Sequence, residues 1–320
     1  MIEGKRVLLT GGAGFIGTAL ARELAPHNEV ILFDNLHRDS FTGTSLSKHP
    51  NVTFVRGDVL DTEALSAAMA GCQIVVHLAA IAGVDSVLRS PVRTMKVNVI
   101  GTFNVLEAAH RAGSVERVVD FSTSEIFGTH AYKVEETHIS PVVSVGEARW
   151  TYAVGKLAGE FIGHSYWHEH GLPVTTVRPF NVYGPGQTGE GAVHHFIKRA
   201  ISNQPLVIHG DGSQIRAWCY VDDMVRGVMR VLECDAACGE AFNIGNPRST
   251  LTIYDLALKV IRLAGSSSPI EFKPLGYVDI EVRIPDISKA REMLGYEPQV
   301  DLEEGLSRTI AWYREREGLA

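Results

Sequence analysis

The chain is short of cysteine, of long apolar runs and of clustered positive charge, and each shortage excludes something. Its four cysteines, Cys72, Cys219, Cys234 and Cys238, are scattered over 320 residues and do not make a disulfide framework. A reducing cytoplasm is the expected location. Cys234 and Cys238 are near neighbours, but no second Cys or His pair stands at zinc spacing, so no metal is expected. His164 and His168 share a helix face without the glutamate that a zinc protease places between its histidines, and read as a solvated or packed pair.

No apolar run approaches the roughly 18 residues of a membrane-spanning helix, and no basic stretch followed by an apolar one opens the chain. A soluble, unexported protein is expected, with no membrane partner. Thirty basic residues face 37 acidic ones, a net charge of −7, without a basic block. Nucleic acid is therefore not an expected partner. Repeats and low-complexity segments are also missing. What is present is 45% apolar composition, enough for a sizeable core and two lobes.

The first half alternates short apolar runs with longer helical stretches. Arg6–Leu9, Glu29–Phe33, Val52–Arg56, Ile74–Leu78 and Arg117–Phe121 read as strands. Gly14–Leu24, Thr62–Met69 and a stretch near Met95–Ala112 read as helices. This rhythm predicts an α/β fold, a Rossmann-type doubly wound parallel sheet with helices on both faces. After the strand Val174–Arg178 the pattern breaks. Pro179 to Gly191 reads as a loop on the substrate side, and Gly210-Asp211-Gly212-Ser213 as a turn. Residues 192–203, Thr252–Ala264, Ser288–Leu294 and Leu302–Glu317 read as helices of a smaller cap. The expected division is 1–180, with 216–248 returning to it, against 181–215 and 249–320.

Gly11-Gly12-Ala13-Gly14-Phe15-Ile16-Gly17 follows the first strand and opens the first helix. Glycine permits the tight turn, the close approach of a pyrophosphate and close packing of helix on strand. The helix N-terminus supplies free N–H groups and partial positive charge. Asp34, followed by Asn35, ends the second strand, where a carboxylate accepts from ribose hydroxyls and repels a 2′-phosphate. That favours NAD over NADP, although Arg38 is close enough in sequence to reach a phosphate. Asp58 and Val59 suit the adenine edge. Leu78, Ala79 and Ala80 keep the next strand end small, and Asn98 reads equally as backbone support or as cofactor contact.

Tyr152 and Lys156 are one helical turn apart and share a face. A phenol with its pKa near about 10 is a poor base at neutrality until cations stabilise the phenolate. A nearby ammonium and a nicotinamide cation would do that, which makes Tyr152 a candidate base on a sugar hydroxyl and Lys156 its support. Thr123 follows the strand Arg117–Phe121 and is placed to bond the reacting hydroxyl and the Tyr152 oxygen. Glu125, a carboxylate beside a hydride-transfer centre, suggests a second chemical step.

These motifs, with Arg178-Pro179-Phe180-Asn181-Val182-Tyr183-Gly184-Pro185, resemble the extended short-chain dehydrogenase/reductase superfamily over essentially the whole chain. Within it the chain looks most like the UDP-glucuronate decarboxylases. Ser122 to Gly128, Arg149-Trp150-Thr151-Tyr152, and Tyr277 to Asp286 carry that likeness. Gly191 stands where those decarboxylases often have an arginine, and Phe127 where they have a tyrosine. The resemblance implies a nucleotide-sugar substrate contacted by Ser124, Arg149, Asn181, Arg216 and Tyr277, with Arg283 as the catalytic arginine. It also implies a homodimer, paired through the helix bearing Tyr152 and Lys156 and the helix near Met95–Ala112. Leu157, Phe161 and Trp167 are candidate contacts.

The implied chemistry starts with oxidation of C4 of UDP-glucuronate by NAD while Tyr152 takes the hydroxyl proton. The C5 carboxylate, now β to a ketone, leaves as carbon dioxide. Thr123 and Tyr152 would stabilise the C4 oxygen, Arg283 would orient the carboxylate, and Glu125 would assist at C5. The product is UDP-xylose if the hydride returns and a UDP-4-keto-pentose if it does not. A UDP-sugar 4-epimerase and a nucleotide-sugar 4,6-dehydratase share the 4-keto stage and stay open, as does an NAD-sensing protein without catalysis.

Overall fold

Val7, Leu8 and Leu9 are all fully buried, which a strand can be only when helices cover both faces of its sheet. The computed structural model describes residues 2–141 and 145–318. The first part runs β1 (Arg6–Thr10), α1 (Phe15–Leu24), β2 (Glu29–Asp34), β3 (Val52–Arg56), α2 (Thr62–Met69), β4 (Ile74–His77), α3 (Val84–Arg89), α4 (Pro91–Met95), α5 (Thr102–Ala112), β5 (Arg117–Phe121), β6 (His130–Val134), α6 (Thr151–His170) and β7 (Val174–Pro179). The second runs β8 (Val182–Tyr183), α7 (Ala192–Ile201), β9 (Leu206–His209), β10 (Ile215–Ala217), β11 (Cys219–Tyr220), α8 (Val221–Glu233), β12 (Ala241–Ile244), β13 (Thr250–Thr252), α9 (Ile253–Leu263), β14 (Ile270–Lys273), β15 (Val282–Pro285), α10 (Ser288–Leu294) and α11 (Leu302–Arg316).

Seven parallel strands form the main sheet in the order β12-β7-β5-β4-β1-β2-β3. On one face Leu20 and Leu24 of α1 share a core with Met224 and Val228 of α8 and Ala290 of α10. On the other, Leu65 of α2, Val105 and Leu106 of α5 and Tyr166 of α6 share a second core. The chain winds outward from β1 in both directions, to β2 on one side and β4 on the other. The crevice at their C-terminal ends is where such a sheet takes a ligand.

A four-stranded sheet, β13-β10-β15-β6, and the parallel pairs β8–β11 and β9–β14 build the smaller part. Val193 and Phe196 of α7, Leu256 and Val260 of α9, and Leu306 and Ile310 of α11 give it its own core. β10 belongs to this small sheet, while α8 and β12 return to the large one.

Two local readings are revised. The helix expected near Met95–Ala112 is a longer helical path beginning at Pro91, interrupted by a widened π turn over Lys96–Gly101. Gly101 permits that turn, because a Cβ there would lie 2.6 Å from a Val59 methyl. Of the three α6 residues expected to face a partner, Phe161 is exposed, but Leu157 packs on the Phe127–Phe180 cluster. Trp167 lies against Gly239, where a Cβ would come within 2.3 Å of its Nε1.

Candidate active site

β1 ends at Thr10, and the chain turns through Gly11 at φ +69°. A Cβ on Gly11 would lie 2.6 Å from the Ala79 nitrogen, and one on Gly17 would lie 2.7 Å from the Gly12 Cα. The glycines therefore let α1 and the β4 turn close directly on the β1 turn. Gly14 caps α1, whose first turn opens on a cavity of about 620 Å³. Gly11, Gly14, Phe15, Ile16 and Gly17 line its middle, Asp34, Asn35, Asp58 and Val59 one end, and Leu78, Ala79 and Ala80 its floor. A backbone cradle at a helix N-terminus, flanked by carboxylates, has the donor set a dinucleotide needs.

Asp34 is nearly buried, and its carboxylate accepts from the Ala13 nitrogen at 3.1 Å and the Leu36 nitrogen at 2.7 Å. Burial pushes its pKa up, and those backbone bonds hold the rise back. Asn35 Nδ2 donates to Asp58 at 3.4 Å and ties the β2 and β3 ends together. Arg38 does not wait for a phosphate: its guanidinium donates to the Ala82 carbonyl at 2.7 Å and to Glu190 at 3.2 Å. Asn98 is fully buried and is not among the residues lining the cavity. It clamps the Ile81 backbone, accepting from its N–H at 2.9 Å and donating to its carbonyl at 3.0 Å, and so supports the wall rather than forming it.

The other end of the same cavity is lined by Thr123, Ser124, Glu125, Tyr152, Lys156, Asn181 and Arg283. Thr123 Oγ1 accepts from the Glu125 nitrogen at 3.1 Å and caps the short turn Ser124–Phe127, which fixes Glu125 beyond the β5 end. Gly155 brings α6 close to the π turn, since a Cβ there would meet the Asn98 Cβ at 3.1 Å. Asn181 stands at φ +38° and donates to the Ala217 carbonyl at 2.8 Å. Burial raises the Tyr152 pKa, and Glu125 adds to the rise. The Thr123 hydroxyl, Arg283 and Arg38 oppose it. Burial lowers the Lys156 pKa against the pull of Asp120 and Glu160.

Arg149, Arg216 and Tyr277 do not line this cavity. They stand in an adjoining ion cluster. Buried Arg149 reaches Glu125 at 3.3 Å and Asp279 at 3.1 Å, and its guanidinium lies 5.8 Å from the Tyr277 ring centre. Arg216 reaches Asp279 at 3.5 Å and the Ile280 carbonyl at 2.7 Å. Arg283 donates to the Gly128 carbonyl at 3.3 Å and lies 3.9 Å from Glu125. Three arginines thus share two carboxylates, and the cluster keeps an excess of positive charge. Burial pushes the Arg283 pKa down to about 9, with Glu125 opposing, so it stays cationic at neutrality. Its Nε has no partner among the described residues.

Beneath Lys156 lies a polar layer that the sequence reading missed. Thr102 Oγ1 donates to the Asn98 carbonyl, so it accepts from His77 Nε2 at 3.0 Å. His77 Nδ1 then accepts from Thr10 Oγ1 at 2.6 Å, which fixes a neutral tautomer. Burial, then Lys156, drives the His77 pKa well down. Glu160 accepts from Ser122 and from Arg178, at 3.0 Å from its Nε and 2.6 Å from its Nη2. Asp120, in the middle of β5, is 1% exposed with both oxygens unpaired among the described residues. Its signal was a lone acid inside the apolar run Val118-Val119-Asp120-Phe121.

Residues 7–245 match the NAD dependent epimerase/dehydratase family. The chain belongs to that family. It is an enzyme of this kind, with NAD as its cofactor. It is 38% identical to UDP-glucuronic acid decarboxylase 6 of Arabidopsis thaliana, over 98% of this chain and 90% of the relative. It is 34% identical to a UDP-N-acetyl-alpha-D-glucosaminuronate decarboxylase of Bacillus cytotoxicus, over 98% of this chain and 99% of the relative. A solved UDP-glucuronic acid 4-epimerase of Bacillus cereus, in complex with UDP-glucuronic acid and NAD, superposes with a TM-score of 0.87. That structure is 30% identical, and the match covers 97% of this chain and 99% of the other. This epimerase/dehydratase enzyme therefore has relatives that decarboxylate and a structural neighbour that epimerises.

Proposed function

We propose that this enzyme oxidises C4 of UDP-glucuronate and removes the C5 carboxylate, forming UDP-xylose or its UDP-4-keto-pentose precursor. The observation that carries this reading is Arg283: a buried cation with a spare Nε that lines the cavity, acts on Tyr152 and faces Glu125. A carboxylate one carbon from the oxidised centre is the group such a cation would hold.

When bound, NAD supplies the hydride acceptor for C4 and can give the hydride back. Tyr152 takes the C4 hydroxyl proton, with Thr123 beside it as hydrogen-bond partner. Burial alone disfavours the phenolate, so Tyr152 depends on its cationic neighbours, Arg283 and Arg38, as the base. Arg283 holds the C5 carboxylate until the C5–carboxylate bond breaks and its electron pair moves toward the C4 oxygen. Thr123 and Tyr152 stabilise the charge that develops there. Glu125 handles the proton that C5 then receives. Ser124 and Asn181 line the sugar end, and Arg149, Arg216 and Tyr277 receive the UDP moiety when Asp279 yields its two arginines.

In this reading 1–180 with 216–248 hold the cofactor, and 181–215 with 249–320 hold the nucleotide sugar, although β6, β10 and β11 lie with the smaller part and α10 packs on the large sheet. The enzyme works in the cytoplasm as a homodimer paired through α5 and α6. Among the described residues no helix is long and apolar enough to cross a membrane. The test is incubation with NAD and UDP-glucuronate, with carbon dioxide measured and the product mass determined. Loss of carbon dioxide supports the proposal. Conversion to UDP-galacturonate at unchanged mass would make the enzyme a 4-epimerase instead.

A further inference from the structure

Three segments that are far apart in sequence meet at the mouth of the cofactor cavity, and two side chains hold them together. The segment after β2 contributes Arg38, the segment after β4 contributes Ala82 to Ser86, and the segment after β8 contributes Glu190. Arg38 Nη2 donates to the Ala82 carbonyl at 2.7 Å, Ser86 Oγ at 3.3 Å and Glu190 at 3.2 Å. The Glu190 carboxylate accepts from the Asp85 nitrogen at 2.7 Å, the Ser86 nitrogen at 3.2 Å and Ser86 Oγ at 2.6 Å. Ser40 adds a second tie, donating from Oγ to the Gly186 carbonyl at 2.8 Å and from its nitrogen to the Ala13 carbonyl of the glycine turn at 2.8 Å.

The arrangement is built, not incidental. Gly83 and Gly189 have φ of +94° and +91°. A Cβ on Gly83 would lie 2.7 Å from the Glu190 carboxylate and 2.8 Å from Arg38 Nη2, and one on Gly189 would lie 2.9 Å from the Arg38 guanidinium. Both glycines leave room for the pair. Arg38 and Glu190 are part-exposed and line the same cavity as the glycine turn, so a dinucleotide held at that turn shares the cavity with them.

We infer that Arg38 and Glu190 clasp the cleft over the bound cofactor, keep the reduced form beside the ketone, and so direct the product toward the pentose rather than the 4-keto-pentose. The direction of the product rests on the decarboxylase reading; retention of the cofactor does not. A dinucleotide leaves only when the segment carrying Glu190 lets go of the other two. A part-exposed ion pair is screened by salt, so release accelerates as ionic strength rises.

The experiment uses the whole enzyme loaded with NADH and chased with excess NAD, following the loss of protein-bound NADH fluorescence. Glu190→Gln keeps the side-chain shape but loses the charge, and is expected to release NADH at least tenfold faster. Ser86→Ala is expected to act in the same direction with a smaller effect. Salt should accelerate release from the unmodified enzyme and leave Glu190→Gln nearly flat. With UDP-glucuronate, Glu190→Gln should discharge NADH and raise the share of 4-keto product. Release rates within twofold of the unmodified enzyme for both variants overturn the clasp. If Glu190→Gln melts early, Ser86→Ala decides alone. Faster release without turnover of UDP-glucuronate by any of the proteins leaves the clasp standing and removes the decarboxylase reading.

Discussion

Asp120 on β5 and Lys156 on α6 lie in one buried polar layer, 1% and 2% exposed, and neither side chain has a hydrogen-bond partner among the described residues. A Cβ on Gly159, one turn along α6 from Lys156, would meet Asp120 Oδ2 at 3.6 Å, so the carboxylate comes up against that helix. The other titratable groups around it are spoken for. Glu160 on α6 is bonded to Arg178 of β7, and His77 on β4 is held neutral between two threonines. Lys156 and Asp120 are left to balance each other.

Asp120→Asn should therefore flatten the dependence of stability on pH. Burial raises the Asp120 pKa to about 6, with Lys156 opposing. An unfolded Asp titrates near about 3.9. The folded chain thus holds this proton more tightly than the unfolded one. The resulting cost is absent below about pH 4, grows as pH rises through about 4 to 6, and is complete above that. A gap of about two units is on the order of 3 kcal/mol. Denaturant unfolding should show Asp120→Asn more stable than the unmodified enzyme near about pH 8 and equal to it near about pH 4. Equal stability at both would mean the carboxylate is solvated or paired. In turnover, losing the charge that props up the Lys156 pKa should move the alkaline limb to lower pH.

Tyr152→Phe should abolish the oxidation while leaving NAD binding intact. The phenol lines the cavity with Thr123 as a hydrogen-bond partner, and in the proposed reaction it takes the C4 proton, which the ring alone cannot do. Loss of a positioned base costs about a hundredfold to ten-thousandfold. The measurement is NADH formation in a single turnover with UDP-glucuronate, alongside a titration with NAD. Oxidation at an unchanged rate would strip Tyr152 of its role.

The cofactor half of the site was legible because its chemistry is local. Gly11, Gly14 and Gly17, Asp34, and the Tyr152–Lys156 pair each act within one turn or one helix, and all line the cavity. The large sheet was legible for the same reason: buried parallel strands are continuous apolar runs. The small strands were not, since β8, β10 and β11 have two or three residues and show no period. Helix α8 carried a readable signal in Val221, Met224, Val225, Val228, Val231 and Leu232, at helical spacing. The Arg38–Glu190 clasp was not readable, because its partners are 152 residues apart. Asp279 was unreadable likewise: only the fold sets it between Arg149 and Arg216.

Arg283→Ala should separate the two chemical steps. Tyr152, Thr123 and Arg38 remain, so oxidation at C4 slows with the loss of one of the two cations that favour the phenolate but slows less than decarboxylation, which loses the buried cation that holds the C5 carboxylate. Charge-assisted hydrogen bonds are worth about 1.5–3 kcal/mol, so carbon dioxide release should slow by about tenfold to a hundredfold or more. The 4-keto uronate would then build up and be visible by mass. Arg283→Lys keeps the charge without the fork and should recover part of the rate. Carbon dioxide release at the normal rate from Arg283→Ala would detach strand β15 from the reaction.

Phe161→Glu should split the proposed homodimer. Phe161 is 69% exposed on α6, and Val92, Ile100 and Phe103, on the helical path from Pro91 to Ala112 that packs beside α6, are 70%, 49% and 47% exposed. An apolar strip of that kind on two neighbouring helices marks an interaction surface. In a two-fold pair each side contributes the same residue, so one substitution is felt twice. Losing a buried phenyl costs about 2 kcal/mol a side, about 4 across the interface, which raises the dissociation constant about a thousandfold. Sedimentation velocity should show a dimer for the unmodified enzyme and a monomer for Phe161→Glu at the same concentration. Phe103→Glu should behave alike, whereas Leu258→Glu, the same kind of change at a residue 45% exposed on α9 in the smaller part, should leave the dimer intact. A monomeric unmodified enzyme would overturn the proposed homodimer.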